Sequence, residues 1–450
     1  MVIRSSAIGP SIAPTGASGG GAVAAHVNIV LLGLGVVGGG VARALSERAD
    51  TYSQRIGASL ALRRVLVRDP EKKRPVNIDP GLLTVRPEDA LSGDVDIVVE
   101  LMGGEHPAYE LIKDSLSRGR YVVTANKEVM AKHGPELLAL AAEKGVDVLY
   151  EASVGGGIPI ISPLKRDLSA NEISSVRAII NGTTNYILTR MSREEISFSA
   201  ALRQAQELGY AEADPTNDID GHDAAYKLAI LASLAFHTRV SPDDVYREGI
   251  TLLSAQDFRY AAELGYAIKL LAVARREDSA VQVRVHPTLL PEDEMLAKVD
   301  GALNAVQIEG DLTGRILFQG AGAGSLPTTS AIMADVLDAA RSVVQGGRPF
   351  PWRHSAELSI RPLSELVTRY YIRLEVADRP GVLAGIARAF GDHGVSIASV
   401  IQKETDEAAQ SAELVIMTHP AREEAVQTTL LELRDLPEVV SVGNLLRVDG

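Results

Sequence analysis

The chain has 450 residues, of which 46% are hydrophobic and 23% are charged, and its formal net charge is −13. This length exceeds what one hydrophobic core serves, so we expect two to four domains. The negative charge argues against a nucleic-acid partner, because an acidic surface repels a phosphate backbone on average. No apolar run approaches the roughly 18 residues of a membrane span, so we predict no membrane partner either.

The chain contains no cysteine. This absence excludes disulfides, thiolate nucleophiles and cysteine-ligated metals, and it favours a reducing, cytoplasmic location. Residues 1–25 are rich in Gly, Ala and Ser and lack the continuous apolar core of a secretory signal. We predict that they form a disordered N-terminal extension.

A glycine motif follows the first apolar run, residues 27–32, and precedes a good helix-forming sequence. Strand, glycine turn and helix together are the context in which G-x-G-x-x-G indicates a dinucleotide site. Gly33 permits the tight turn, Gly35 lets the backbone approach a pyrophosphate, and Gly38 lets the helix pack on the strand. The alternative is a chance glycine cluster at a strand–helix turn. We assign six residues to cofactor binding: Gly33, Leu34, Gly35, Val36, Val37 and Gly38.

Residues 64–67 are predicted to form the second strand, and Arg68 follows it. An acid at this place usually bonds the ribose hydroxyl of NAD, whereas an arginine suits the 2′-phosphate of NADP. We therefore expect a cofactor that is NADP or NAD, with NADP favoured. The alternative is that Arg68 is a solvated surface residue.

Further strands are predicted at residues 95–102, 121–124 and 146–150, and helices alternate with them. This alternation indicates a Rossmann-like, doubly wound parallel sheet, in which ligands bind at the carboxyl ends of the strands. Asn126 and Lys127 follow one such end, so we predict that both face the cofactor. Residues 136–144 are predicted to form the helix after them.

Glu151 and three glycines follow the last of these strands in the segment EASVGGGIP. A carboxylate and main-chain carbonyls are the oxygen ligands that a hard cation takes. The alternative for this segment is a hinge between domains.

The most acidic short segment, residues 209–221, contains Glu212 and Asp218 and leads into an apolar helix that carries Asp223 and Lys227. Asp223 and Lys227 are four residues apart and share one helix face. The simplest interpretation is a surface ion pair. However, the neighbours of Lys227 are apolar, and a buried lysine must be paired or have a lowered pKa. We predict that several acids converge on this lysine and form a site for an amine-bearing substrate and for proton transfer.

A second glycine loop at residues 320–329 precedes a helix predicted at 330–344, and we expect Gly322 to approach the cofactor. Residues 346–368 are predicted to be a linker. The remaining residues follow the pattern βαββαβ, with strands at 370–376, 395–403, 413–418 and 439–448 and helices at 382–392 and 421–434. This pattern is typical of a small ferredoxin-like domain.

From residue 26 onward, the chain resembles homoserine dehydrogenase with a C-terminal ACT domain. The motifs that carry the resemblance are GLGVVG, TANK, EASVGGGIPII, NGTTNYIL, LGYAEADPTNDIDGHDAAYK and GAGAGSLPT, in this order. The resemblance implies an α/β fold in three parts: a dinucleotide-binding domain (26–155), an α+β substrate and dimerisation domain (156–345) and an ACT domain (369–450). It also implies NAD(P)-linked interconversion of L-homoserine and L-aspartate 4-semialdehyde in threonine, methionine and isoleucine biosynthesis.

Residue roles carry over by position in these motifs. Lys227 looks like the group that donates and accepts the proton at the reacting oxygen, and Lys127 is similar to the lysine that bridges cofactor and substrate. Glu212 and Asp223 would hold the homoserine, and Asp218 would support them. Gly182 and Thr183 would line the site. The ligands of a monovalent cation, sodium in the resemblance, would be Glu151 and the main chain of Val154, Gly156 and Ile158.

ACT domains are similar to small amino-acid sensors that pair across subunits. We hypothesise that L-threonine binds at the turn formed by Asp378, Gly381, Val382 and Leu383 and inhibits the enzyme. The alternative is an assembly module without a ligand. The resemblance implies a homodimer through the middle domain, which ACT pairing would extend to a homotetramer.

Other dehydrogenases fit the sequence less well. An aspartate-semialdehyde dehydrogenase acylates a cysteine, which this chain lacks. An ACT-bearing 2-hydroxyacid dehydrogenase carries its nucleotide motif in mid-chain, and a bifunctional kinase–dehydrogenase requires more residues. The alternative from another class is a regulator that binds nucleotide and amino acid but has lost catalysis.

Overall fold

A computed structural model describes residues 26–74, 76–346, 357–406 and 410–449. The predicted extension at residues 1–25 and residues 347–356 of the predicted linker lie outside the described residues. In the described part of the chain, no helix is long and apolar enough to cross a membrane.

The first sheet is built from six parallel strands with helices between them. Its strands are β1 (His26–Leu32), β2 (Ser59–Leu66), β3 (Leu83–Thr84), β4 (Ile97–Glu100), β5 (Tyr121–Thr124) and β6 (Val148–Leu149). Its helices are α1 (Val36–Glu47), α2 (Ala49–Ile56), α3 (Pro87–Ala90), α4 (Ala108–Ser117) and α5 (Lys127–Lys144). The strand order β3-β2-β1-β4-β5-β6 is the doubly wound arrangement, which confirms the predicted Rossmann-like sheet. The strand order reverses between β1 and β4, so a ligand site is expected at the carboxyl ends of these two strands.

Helix α5 is longer than predicted, because it begins at Lys127 rather than at residue 136. Gly134 and Pro135 led to the shorter prediction, since both residues disfavour a helix interior. The structure accommodates Pro135 inside α5, and the buried residues of its first half pack against the core. Lys127 therefore lies on the first turn of a helix and not in a loop.

The second sheet is mixed and carries most of the remaining helices. Its strands are β7 (Ile173–Ile179), β8 (Tyr246–Arg247), β9 (Tyr266–Glu277), β10 (Ala280–Pro291), β11 (Leu303–Gly310) and β12 (Gly314–Ala321). The helices in this part are α6 (Gly182–Glu194), α7 (Phe198–Glu207), α8 (Thr216–Ile219), α9 (His222–Ala235), α10 (Ala255–Glu263) and α11 (Ser325–Gln345). The main strand order is β12-β11-β7-β9-β10. The strands β8, β9 and β12 and the helices α6, α8 and α10 were not predicted.

The predicted second glycine loop is shorter in the structure. Gly320 and Ala321 belong to the end of β12, and α11 begins at Ser325 rather than at residue 330. Pro327 lies in the first turn of α11, where its missing N–H leaves no helical hydrogen bond unmade. Helix α11 returns to the first sheet, where Ser325 Oγ donates to the carbonyl of Val36 over 3.4 Å.

The C-terminal sheet has the predicted βαββαβ order. Its elements are β14 (Val367–Ala377), α12 (Val382–Asp392), β15 (Ile397–Asp406), β16 (Ser411–Thr418), β17 (Ala421–Arg422), α13 (Glu423–Asp435) and β18 (Val439–Val448). The short strand before them, β13 (Ser359–Ile360), pairs with β10 of the second sheet. The four main strands pair in the order β18-β14-β16-β15. Strand β18 also pairs in parallel with β10, so the C-terminal sheet continues the second sheet.

Both faces of the C-terminal sheet are covered. On one face, Ile386 and Phe390 of α12 complete a separate core. On the other face, Tyr371, Val415 and Leu446 join the core that the rest of the chain forms. The C-terminal unit is therefore packed on the second sheet through an apolar surface.

Candidate active site

The glycine motif forms the turn between β1 and α1. Gly33 has a φ of +103°, and a Cβ atom there would lie 2.7 Å from the carbonyl oxygen of Leu101. A Cβ on Gly38 would collide with the carbonyl oxygen of Gly33. A Cβ on Gly35 would meet nothing within 4 Å, so the first turn of α1 is open to solvent at this point. Two glycines thus let the chain pack, and the third leaves room for a pyrophosphate over unpaired amides.

The side chains around this turn differ in exposure. Leu34 is buried in the core, Val37 packs partly against it, and Val36 is exposed. Arg68 lies just beyond β2 with an exposed side chain, and no hydrogen bond or ion pair of the described residues involves it. An unpaired guanidinium at the end of β2 is available to a 2′-phosphate.

Asn126 fixes the start of α5 at the carboxyl end of β5. Its side-chain oxygen accepts a hydrogen bond from the amide of Val129 over 3.1 Å, and its amide nitrogen donates to the carbonyl of Gly104 over 2.7 Å. Below it, the fully buried Glu100 accepts from the hydroxyl of Thr124 over 2.6 Å. Burial raises the pKa of Glu100. This network holds Lys127 at the edge of the sheet where the glycine turn lies.

Lys127 and Lys227 meet at one buried carboxylate, that of Asp223. The Lys227 Nζ lies 2.6 Å from Asp223 Oδ2 and 2.8 Å from the carbonyl oxygen of Ile180. The Lys127 Nζ donates to Asp223 Oδ1. Lys127 belongs to a helix of the first sheet and the other two residues belong to α9. The structure therefore brings together three of the predicted residues from two parts of the chain.

The two ammonium groups determine the charge state of Asp223. Burial alone would raise the pKa of this carboxyl, but the charges of Lys227 and Lys127 hold it well below its usual range. Burial would lower the pKa of Lys127, and the charge of Asp223 raises it instead. Asp223 is 4% exposed and the Lys227 side chain 12% exposed, so this ion pair is shielded from bulk water. A desolvated, charged amine of this kind can donate a proton to a reacting oxygen.

Asn181 is a site residue that the sequence reasoning did not single out. It caps α6, since its side-chain oxygen accepts from the amide of Thr184 over 2.9 Å. Its amide nitrogen donates to Asp223 Oδ2 over 2.9 Å and to Asp218 Oδ1 over 2.7 Å. The motif NGTT contains the signal for the cap, but no local pattern shows that two distant acids reach the same amide.

The acids of the segment before α9 do not all surround Lys227. Of the described residues, Asp223 alone forms an ion pair with its amine. Glu212 and Asp214 are exposed, and Asp214 accepts from the hydroxyl of Thr216 over 2.6 Å. The prediction of several acids converging on this lysine is therefore wrong for the direct contacts. The loop that carries Glu212 is also surface-exposed, so its acids are hydrated and need no pairing with a lysine.

The start of α6 lies close to the acidic loop. The Thr183 hydroxyl donates to the carbonyl of Tyr210 over 2.7 Å, which joins the two segments. A Cβ on Gly182 would lie 2.8 Å from the carbonyl oxygen of Ala302, so only glycine fits there. Gly182, Thr183 and Asp218 are thus placed around Asn181, beside the Lys227 amine.

The Glu151 segment packs on the second glycine loop. A Cβ on Gly156 would lie 2.5 Å from the carbonyl oxygen of Gly322, and the amide of Gly157 donates to the carbonyl of Ala321 over 3.0 Å. Gly322 itself is buried against Asn304. The two loops therefore support each other between the first and second sheets.

The Glu151 carboxylate is buried and accepts three main-chain amides. Oε1 accepts from Ile160 over 2.5 Å and from Ile161 over 2.8 Å, and Oε2 accepts from Ser162 over 2.7 Å. Oε2 accepts only one of these amides and keeps a lone pair that a cation can share. No group of three or more His, Cys, Asp or Glu side chains that could hold a metal occurs among the described residues. A cation here would thus depend on main-chain carbonyls, as the sequence prediction requires.

The predicted effector turn lies far along the chain, between β14 and α12. Gly381 has a φ of +98° and caps α12, and the Val382 side chain is buried beneath it. Asp378 and Leu383 are exposed. The geometry of this turn gives an open helix start with one acidic and one apolar side chain beside it.

Comparisons with known proteins match nearly the whole chain. Three family models match: "Homoserine dehydrogenase, NAD binding domain" at residues 33–151, "Homoserine dehydrogenase" at 159–337 and "ACT domain" at 370–438. A homoserine dehydrogenase of Corynebacterium glutamicum is 44% identical over 94% of this chain and 96% of its own length.

Solved structures agree with these matches. A homoserine dehydrogenase from Thiobacillus denitrificans has a TM-score of 0.88 and 42% identity, and the match covers 94% of this chain and 98% of that one. A hyperthermophilic archaeal homoserine dehydrogenase in complex with NADPH has a TM-score of 0.60 and 27% identity over 73% of this chain and 100% of that one. The chain belongs to the homoserine dehydrogenase family of oxidoreductases that act on a CH–OH group, and it carries a C-terminal ACT domain.

Proposed function

We propose that this enzyme interconverts L-homoserine and L-aspartate 4-semialdehyde with NAD(P), in the biosynthesis of threonine, methionine and isoleucine. The observation that carries the proposal is the ion cluster of Lys127, Asp223 and Lys227. It joins a helix of the nucleotide-binding sheet to a buried helix of the second sheet. A proton-transferring amine is thus held next to the edge at which the cofactor is expected.

Lys227 serves proton transfer at the reacting oxygen. In the reducing direction its ammonium donates a proton to the developing alkoxide, and in the oxidising direction the same nitrogen accepts the hydroxyl proton. When bound, the nicotinamide supplies or accepts the hydride. Asp223 keeps the amine in place, and the carbonyl of Ile180 fixes its direction.

Substrate recognition falls to the residues around this cluster. The substrate's ammonium group suits a carboxylate of Glu212, with Asp218 in support, and Asp223 contributes charge from below. Lys127 binds between cofactor and substrate, since its side chain is partly exposed. Gly182 and Thr183 line the site. We divide the chain as the sequence predicts: nucleotide binding at 26–155, substrate binding and dimerisation at 156–345, and ACT at 369–450.

NADP is the favoured cofactor in this proposal. The exposed, unpaired guanidinium of Arg68 and the NADPH held by the archaeal relative support it. The six residues of the glycine turn, with Asn126, Lys127 and Gly322, complete the cofactor site. Replacing Arg68 by alanine lowers kcat/KM for NADP and leaves that for NAD unchanged, if the arginine reads the 2′-phosphate.

Sodium is the proposed monovalent cation, bound by Glu151 and the main chain of Val154, Gly156 and Ile158. The remaining lone pair of Glu151 Oε2 and the tight glycine turn support this site. Activity in sodium chloride, compared with choline chloride at equal ionic strength, tests whether the cation is needed.

L-Threonine is the proposed feedback inhibitor, bound near Asp378, Gly381, Val382 and Leu383. The presence of an ACT domain supports the proposal. We further propose a cytoplasmic homodimer or homotetramer. Millimolar threonine should lower activity and raise the melting temperature, and light scattering gives the assembly. An unchanged rate with no thermal shift would leave ACT as an assembly module only.

The decisive experiment follows absorbance at 340 nm with purified protein, L-homoserine and NADP or NAD. The proposal requires cofactor reduction that depends on homoserine. Binding of NADPH without any turnover would instead identify a regulator that has lost catalysis.

A further inference from the structure

A second buried charged cluster lies where the ACT domain meets the second sheet. Asp449 follows β18, and its carboxylate contacts guanidinium groups from three strands. Oδ2 lies 2.5 Å from Nε of Arg177 on β7. Oδ1 lies 3.3 Å from Nη2 of Arg275 on β9 and 3.9 Å from Nη2 of Arg284 on β10. None of these residues belongs to the proposed catalytic site.

Burial makes the charge balance of this cluster important. Asp449, Arg177 and Arg284 are 6%, 4% and 3% exposed. Glu294 supplies a second carboxylate, 2.9 Å from Nη1 of Arg177. Arg177 Nε and Nη2 have no hydrogen-bond partner in the described part of the chain, so charge rather than directed bonding holds this guanidinium. Loss of one carboxylate would leave buried cations that repel each other.

The main chain also fastens Asp449 to the second sheet. Its amide donates to the carbonyl of Leu289 over 3.0 Å, which continues the pairing of β18 with β10. The main chain at Asp449 is therefore held in place independently of the arginines. A substitution of the Asp449 side chain would therefore mainly change the positions of the arginines that contact it.

Arg177 lies on the strand that leads into the catalytic site. Strand β7 ends at Ile179. The next residue, Ile180, accepts the hydrogen bond from Lys227, and Asn181 donates to Asp223. Three residues of extended strand span only about 10 Å. A displacement of β7 at Arg177 would therefore move Ile180 and Asn181, which hydrogen-bond to the two members of the catalytic ion pair.

We infer that Asp449 is a positioning residue for the active site and that it acts through Arg177. This inference rests on the proposed roles of Lys227 and Asp223. The Asp449 carboxylate neutralises the guanidinium of Arg177. Strand β7 then holds Ile180 and Asn181 in hydrogen-bonding position for Lys227 and Asp223. The ACT domain thus contributes a side chain to the order of the catalytic site.

The test compares Asp449→Asn with Asp392→Asn, a change of equal charge at an exposed position of the same domain. Both variants are assayed at saturating homoserine and NADP, per site that binds NADPH. We expect Asp449→Asn to lower kcat about fivefold or more, because small misplacements of catalytic groups cost rate. The Kd for NADPH should stay within about twofold, since the glycine turn is remote from Asp449. Asp392→Asn should match the wild type.

A double-variant cycle separates positioning from simple adhesion of the domains. If Asp449 acts through Arg177, then Asp449→Asn adds no further loss of kcat to the variant Arg177→Gln. Independent losses that multiply would overturn the route through Arg177. A normal kcat in Asp449→Asn with a lowered melting temperature would overturn the inference altogether, since it would show adhesion only.

Arg177→Gln alone provides the test if Asp449→Asn does not fold, because it breaks the same contact and leaves Asp449 with Arg275 and Arg284 as partners. The expected fall in kcat is about twofold. An unchanged kcat would count against the inference. A wild-type enzyme without homoserine-dependent turnover would instead contradict the proposed function, so the two failures are distinguishable.

Discussion

The two lysines that share Asp223 lie in different parts of the molecule and in different surroundings. The Lys227 side chain on α9 is 12% exposed and its amine has two fixed partners, Asp223 and the carbonyl of Ile180. The Lys127 side chain, at the start of α5, is 42% exposed, and Asp223 is its one hydrogen-bond partner among the described residues. A fixed, shielded amine suits proton transfer, whereas a more exposed one is free to bind a ligand. The comparison predicts that replacing Lys227 mainly lowers kcat, whereas replacing Lys127 mainly raises KM for homoserine.

Lys227→Ala should have the largest effect. Without the amine, no group donates the proton to the developing alkoxide, so kcat should fall about 1000-fold. Cofactor binding should remain, because the glycine turn does not depend on α9. Initial rates from absorbance at 340 nm give kcat, and a fluorescence titration with NADPH gives the dissociation constant of the cofactor. The exposed Lys298→Ala is the control, and near-normal turnover of Lys227→Ala would end the assignment.

Asp223→Asn should come next, with kcat lower by about 100-fold, because both ammonium groups lose their shared counter-charge. The variant is almost isosteric, so a loss of rate reports charge rather than shape. If both lysines needed only their shape, kcat would stay close to that of the wild type.

The same variant has a distinct pH signature. The pKa of Asp223 is lowered in the folded state, so its stabilising contribution is present above its unfolded pKa of about 4 and disappears as pH falls through the folded value. The difference in melting temperature between wild type and Asp223→Asn should therefore be constant from about pH 8 to 5 and shrink below about pH 4. A difference that grows in acid would contradict the lowered pKa.

Lys127→Ala should affect binding more than turnover. We expect KM for homoserine to rise about tenfold and kcat to fall less, since the exposed amine contacts ligands rather than the reacting proton. Initial rates over a range of homoserine concentrations give both constants. A loss of kcat equal to that of Lys227→Ala would remove the distinction between the two lysines.

Asn181→Ala should have the smallest effect of the four variants. It removes the cap of α6, at a cost of about 1 kcal/mol, and it leaves Asp218 and Asp223 without their shared amide. The melting temperature should fall by a few degrees, and kcat should fall a fewfold. Asn181→Ser keeps a capping oxygen and adds no charge beside Asp218 and Asp223, so it should retain the melting temperature but still lose rate.

Local patterns predicted the parts of the fold that depend on neighbouring residues. The glycine turn after β1, the helix at Ala108–Ser117 and the C-terminal βαββαβ order follow from periodicity and turn residues, and the structure contains them. Strand β9 escaped because a strand buried along most of its length has no alternation to reveal it. The predicted helix α5 was too short, because tertiary packing accommodates Gly134 and Pro135 although both residues disfavour a helix interior.

The catalytic site was only partly predictable for a related reason. The spacing of Asp223 and Lys227 on one helix is local, so it can be found in the sequence. The approach of Lys127 to this carboxylate depends on how the two sheets meet, and that of Asn181 depends on how β7 packs on α9. No pattern within these segments encodes either approach. The exposure of Glu212 also depends on a loop path that composition does not fix.

The pairing of β10 with β18 bears on how freely the ACT domain could be exchanged in evolution or by engineering. Deleting it would uncover a hydrogen-bonding edge at Thr288 and Leu289 and the apolar surface that Tyr371 and Leu446 now cover. It would also leave Glu248 without Arg447, which pairs with it over 2.9 Å. An unpaired strand edge and an apolar patch that are exposed together promote self-association. A shortened enzyme would therefore need a redesigned surface before it could serve as a minimal catalyst, and grafting a foreign sensor would require matching a strand as well as a linker.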